Sequence, residues 1–233
     1  MATTANSTNE LTGVPLSARA RLERVLTTTA FLLVIVAAAM VSLAAAQSVD
    51  EAVQAVENHY RELTDLTAKV VQKNHLKALD KTQTFEAVLW IRKPGRLRLD
   101  YANGQVILVN GKGALFYSRK SEQMIKKTFS DIEQMNIPVA FLLGAAHIRD
   151  DFDVRRPDPA APRLLELTPK KPGAAMKKLI LRSDDAGRIA LLDILDKAGN
   201  RTEISFSDTQ EGVGLDDKLF VFKAPKGTEV IEQ

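Results

Sequence analysis

The sequence predicts a mainly β (α+β) fold, a single curved antiparallel sheet of about ten strands carrying two helical segments. Three observations predict it. From Leu66 onward, apolar residues fall at every second position in one short segment after another, the period of a strand wet on one side. Turn chemistry separates these segments at Pro94-Gly95, Asn110-Gly111-Lys112-Gly113, Asp184-Asp185-Ala186-Gly187 and Lys197-Ala198-Gly199-Asn200. Two stretches, 49–63 and 130–144, depart from the alternation in a way that suits helices.

The N-terminal stretch is set apart from this fold. Residues 1–18 are rich in Thr, Asn, Ser and Ala without an apolar period, and Arg19, Arg21 and Arg24 then precede the uncharged run Ala30 to Leu43. The run ends in Ala44-Ala45-Ala46-Gln47, the small-residue pattern of a secretory signal peptide, so cleavage after Ala46 is expected. An uncleaved anchor is the alternative, because the uncharged stretch 27–46 is about as long as a membrane span. Two segments follow from this: 1–46 as extension and signal, and 47–233 as one domain of ordinary size. The chain has no cysteine, which rules out disulfides, thiol catalysis and cysteine-linked acylation of the chain itself. A soluble periplasmic protein is expected.

Ser48-Val49-Asp50-Glu51 forms a capping box. Val49, Ala52, Val53, Val56, Tyr60 and Leu63 then make one apolar stripe on a helix of about four turns. That helix is either a lid or an end closure of the sheet. Leu66, Ala68 and Val70 begin a strand that ends at Gln72, and 74–81 is polar without a repeat, as in a loop or ragged hairpin. Phe85, Ala87, Leu89 and Ile91 form the next row with Trp90 opposite, and after the Pro-Gly turn Leu97, Leu99 and Tyr101 alternate with Arg96, Arg98 and Asp100. Lys93 shares the parity of Leu89 and Ile91, placing a charge at the rim of the apolar row. It is either a lysine snorkelling to water or a latch bonding a movable element.

Gln105 to Asn110 is aliphatic enough to be covered on both faces. Leu115 to Tyr117 and Gln123 to Lys127 continue the meander. After Pro138, the almost wholly apolar Val139-Ala140-Phe141-Leu142-Leu143-Gly144 is a second lid candidate or a core plug. His147 to Asp153 reads as a loop, and its carboxylates and histidine match no metal-loop spacing. Leu164–Thr168, Met176–Arg182, Ile189–Asp196 and Arg201–Ser207 read as further strands, with Phe220–Phe222 and Val230-Ile231 closing the edge.

No catalytic constellation is visible. The three histidines, His59, His75 and His147, share no metal-ligand spacing, and neither a nucleophile elbow nor a phosphate-binding glycine loop occurs, so no catalytic residue, metal or cofactor is expected. A net charge of +3 argues against a general nucleic-acid role. The positive signal is the surplus of apolar side chains on strands and helices, which suits enclosing a greasy ligand.

Several pieces, in order behind a signal peptide, resemble the LolA family of periplasmic outer-membrane lipoprotein carriers: Ala68 to Gln72, Leu89-Trp90-Ile91-Arg92-Lys93-Pro94, Val109-Asn110-Gly111-Lys112 with Phe116-Tyr117, Pro138 to Leu142, Leu167-Thr168-Pro169-Lys170, and Phe220 to Gly227. The resemblance implies an unclosed β-barrel with helices as a lid over an apolar cavity. It also implies cargo of triacylated lipoproteins, taken from an inner-membrane ABC exporter and passed to an outer-membrane acceptor, by a monomer without catalytic activity. Tyr60, Leu66, Val70, Leu89, Ile91, Leu97, Leu99, Tyr101, Val139, Phe141 and Leu142 would then contact the acyl chains. Family members commonly carry arginine before the proline, where it holds the lid; Lys93 stands there in this chain and offers donors without a planar fork. The alternative is a lipid-sensing module of the same fold that ferries nothing.

Overall fold

The computed structural model describes residues 49–111, 113–128, 142–143, 147–171 and 174–232. The signal segment, the Ser48 cap and most of the second helical segment, with Val139 and Phe141, lie outside the described residues. Helix α1 (49–62) comes first, and its stripe of Val49, Ala52, Val53, Val56 and Tyr60 is buried in the main core. The strands then run β1 (Asp65–Leu76), β2 (Lys81–Arg92), β3 (Arg96–Tyr101), β4 (Gln105–Asn110), β5 (Ala114–Ser118) and β6 (Gln123–Lys127). A one-turn helix α2 (Ile148–Asp151) leads into β7 (Phe152–Arg155), followed by β8 (Leu164–Pro169), β9 (Met176–Ser183), β10 (Ile189–Asp196), β11 (Arg201–Glu211) and β12 (Glu229–Glu232).

Among the described residues these strands make one 12-stranded sheet in the order β12-β6-β5-β4-β3-β2-β1-β11-β10-β9-β8-β7. Its two outer strands do not pair, so the sheet curves without closing. Pairing of β1 with both β2 and β11 joins the two meanders into one surface.

The apolar rows fall where their period puts them, and the polar stretches account for the differences. The polar stretch 74–81 is a hairpin: β1 continues to Leu76, a 3₁₀ turn takes Lys77–Leu79 and β2 begins at Lys81, with polar side chains pairing across the ladder, as His75 with Thr82 at 3.2 Å and Lys73 with Glu203 at 3.3 Å. The expected loop at His147 to Asp153 is α2 leading into the edge strand β7; the Glu57 carboxylate of α1 accepts from the Ile148 amide at 2.7 Å and holds the turn. Phe220–Phe222 is not an edge strand. Asp217–Phe220 is a 3₁₀ turn capped by Asp216, whose side chain accepts from the Lys218 amide. Closure at that edge falls to β12, which pairs with β6 in parallel rather than antiparallel register. Val106 to Val109 are all buried, as expected for a strand covered twice: Ile107 and Val109 join the main core, while Val106 packs outward with Tyr117, Met124 and Phe222.

Candidate apolar binding site

Three cross-strand rows build the concave face. Leu66, Ile91 and Leu97 stand opposite one another across β1, β2 and β3; Ala68, Leu89 and Leu99 make the second row, and Val70, Ala87 and Tyr101 the third. Successive rows are two residues apart, so all point to the same side. β4 and β11 extend the surface, with Val109 opposite Leu97, Ile107 opposite Leu99, and Phe206 opposite Val70. Burying one such leucine stabilises the fold by roughly 1.5–3 kcal/mol, so the face is both the core and the candidate site.

Tyr60, Leu66, Val70, Leu89, Ile91, Leu97, Leu99, Tyr101 and Leu142 all belong to one buried cluster. Within it a small cavity of about 20 Å³ touches Val70, Leu89, Leu97, Leu99, Tyr101 and Leu142. Tyr60, Leu66 and Ile91 lie off the cavity, at the end of the sheet that α1 covers. The same cavity also touches Gln72, Ile107, Leu192, Ile204 and Phe206, which the sequence reading did not select. Parity could have found Gln72, two residues beyond Val70, whereas Leu192, Ile204 and Phe206 required knowing that β11 closes onto β1.

A cavity of this size holds one water, whereas an apolar cavity of about 150 Å³ admits benzene. Among the described residues, therefore, the concave side chains pack on one another and leave no room for a larger guest without moving. The one polar pair at the cavity is satisfied internally: the Tyr101 hydroxyl donates to Gln72 Oε1 at 2.7 Å, and burial pushes the Tyr101 pKa up to about 12.

Lys93 sits at the rim and reaches back to α1. Its ammonium donates to the Tyr60 carbonyl and, at 3.4 Å, to that of Arg61, while its backbone amide donates to the Thr64 carbonyl at 2.9 Å. These carbonyls belong to the last turn of the helix and the residues after it, where a cation is favoured. Burial, and then the nearby Arg61 charge, holds the Lys93 pKa below its ordinary value. Tyr60 is anchored at its other end, since its hydroxyl accepts from the Ile189 amide at 3.3 Å and burial raises its pKa.

The convex face behind the same turn is held by arginines. Arg92 and Arg96 both donate to Asp217, and Arg98 donates to the Leu219 carbonyl at 2.8 Å while lying 5.9 Å from the Trp90 ring centroid. Trp90 thus packs under the Arg98 guanidinium. Among the described residues no group of three or more His, Cys, Asp or Glu is placed to hold a metal ion.

Residues 61–223 match the model of a family described as outer membrane lipoprotein carrier protein LolA. The outer-membrane lipoprotein carrier protein of Azotobacter vinelandii is 25% identical over 206 residues, spanning 87% of this chain and 99% of that protein. Its counterpart from Chromohalobacter salexigens is 26% identical over 156 residues, 66% of this chain and 73% of that one. A LolA superfamily protein of known structure from Nitrosomonas europaea is 14% identical, with 76% of this chain and 97% of that chain covered at a TM-score of 0.44.

Proposed function

This chain belongs to the LolA family of outer membrane lipoprotein carrier proteins, and we propose that it is a periplasmic carrier that binds the acyl chains of triacylated lipoproteins against its concave face. In this reading the mature carrier is 47–233, a monomer without catalytic chemistry. It receives cargo from an inner-membrane ABC exporter and delivers it to an outer-membrane acceptor. The observation that carries the reading is the three-row apolar surface of β1, β2 and β3, which continues onto β4 and β11.

The energetics suit a carrier. Each buried methylene is worth roughly 0.8 kcal/mol, so one acyl chain of ordinary length resists leaving a bilayer by about 10 kcal/mol. A concave face that packs on itself when empty gives up its own contacts to admit the chain, which lowers net affinity and favours onward release. Lys93 acts as the latch that keeps α1 seated at one end, and Leu142 packs into the same buried cluster.

The test is release of cargo. Purified protein is added to spheroplasts, and the soluble fraction is examined by mass spectrometry for an intact triacylated lipoprotein bound to it. A stoichiometric complex is expected. Recovery of bound phospholipid with no lipoprotein would instead assign a lipid-sensing module of the same fold.

A further inference from the structure

The concave face changes character at the end of the sheet away from α1. One residue pair beyond the third apolar row, Gln72 stands opposite Phe85, and on the neighbouring strands Gln105, Ser118 and Gln123 stand side by side. An open pocket of about 350 Å³ lies over these positions, and no side chain among the described residues that line it carries a charge. Its floor is aromatic, with Phe85 and Tyr101 edge to face at 6.3 Å between ring centroids. Gln72, Tyr101 and Ile107 line both this pocket and the small apolar cavity, so these side chains form the boundary at which the two spaces adjoin. Gln72 sits at the junction, accepting from the Tyr101 hydroxyl and donating to Asn74 Oδ1 at 3.0 Å.

We propose that this mouth of amides, hydroxyls and aromatic rings, with the Glu229 carboxylate bonded to Gln123 at its edge, is a peptide-binding subsite, which holds the first peptide units beyond the acylated residue while the acyl chains pass inward beyond Tyr101. The inference rests on the acyl-chain reading of the concave face. Peptide groups present one donor and one acceptor each, and side-chain amides and hydroxyls match both. A phosphate makes its strongest hydrogen bonds to a cation, which the lining does not supply, and the Glu229 carboxylate bonded to Gln123 at 2.8 Å disfavours a second anion there. Aromatic floors beneath amide walls suit a chain whose apolar part ends where its polar part begins. The mouth therefore favours an acylated polypeptide over an acylated phosphate ester, a preference the apolar face alone cannot supply.

The experiment titrates the protein with two probes, a tripalmitoylated cysteinyl peptide with a serine tail and palmitate alone. In the Gln105→Leu/Ser118→Val variant, lipopeptide affinity is expected to fall on the order of tenfold, two net hydrogen bonds being lost, with palmitate affinity within about twofold. Gln105→Ala alone, at an exposed position, gives the same contrast at about fivefold. Equal losses for both probes, or no loss for the lipopeptide, overturn the subsite while leaving the acyl reading standing. Binding of neither probe by the parent protein overturns the acyl reading and this inference with it.

Discussion

Replacing Lys93 by methionine keeps the stem and removes the ammonium, so it isolates the contact between the Pro turn and α1. Two acceptors are lost from that cation, the Tyr60 and Arg61 carbonyls at the helix C-terminus. Hydrogen bonds from charged groups contribute about 1.5–3 kcal/mol, and the burial that lowers the Lys93 pKa offsets part of that. A net loss of about 1–2 kcal/mol is expected for docking of α1. The apolar stripe and the backbone bond from Lys93 to Thr64 remain, so the helix loosens without the domain unfolding. Hydrogen exchange reads this directly: at about 1.4 kcal/mol per tenfold, amides of 49–62 should exchange about 5- to 30-fold faster, while those of β1 and β2 change little. Lys93→Arg should restore most of the protection. Exchange in α1 unchanged by Lys93→Met would refute the reasoning and return Lys93 to a solvated rim lysine.

Leu97→Glu puts a carboxylate on a side chain that is 2% exposed; displacement of a fluorescent fatty acid should show acyl binding lost, with the urea midpoint followed alongside, and unchanged affinity would move the site elsewhere. Glu166 predicts an acid limb of stability. Burial pushes its pKa up, but hydrogen bonds from Arg155 and Lys178 outweigh this and leave it lowered, so the contribution is complete above the ordinary glutamate range and lost as pH falls through the folded value. Glu166→Gln should flatten that part of the pH–stability curve, and an unchanged curve counts against the pair. Gly187→Ala should cost about 2 kcal/mol or more in urea unfolding, since the position has φ +85° and the new Cβ would lie 2.1 Å from the Ala55 carbonyl oxygen.

What the sequence discloses depends on how local the signal is. Leu97, Leu99 and Tyr101 are legible because period 2 is written into consecutive residues and one face must be dry. The polar half of the β1–β2 hairpin is not, because its alternation is among charged and amide side chains that only the partner strand explains. The roles of Arg92, Arg96 and Arg98 were hidden for a similar reason: their positions opposite the apolar row imply water, but Asp217 and Leu219, more than a hundred residues away, fold back to meet them. Lys93 stood out as a charge in an apolar row, yet only the three-dimensional arrangement supplies the helix carbonyls it meets. The LolA fold class was readable from motif order, whereas the near absence of empty space beneath Leu142 was not, since packing density has no sequence period.

An open sheet has two free rims, and each is a template for another chain's backbone. Here one rim is the four-residue β7, with Asp153 and Arg155 exposed along it, and the other is the four-residue β12, with Glu229 and Glu232 exposed. Short, charged rims discourage strand-on-strand growth, the route by which flat sheets polymerise. In the proposed carrier role, parting the core to admit an acyl chain would leave the protein most exposed to self-association at that moment. Charged rims would then confine the hazard to the concave face, where the guest itself would cover it.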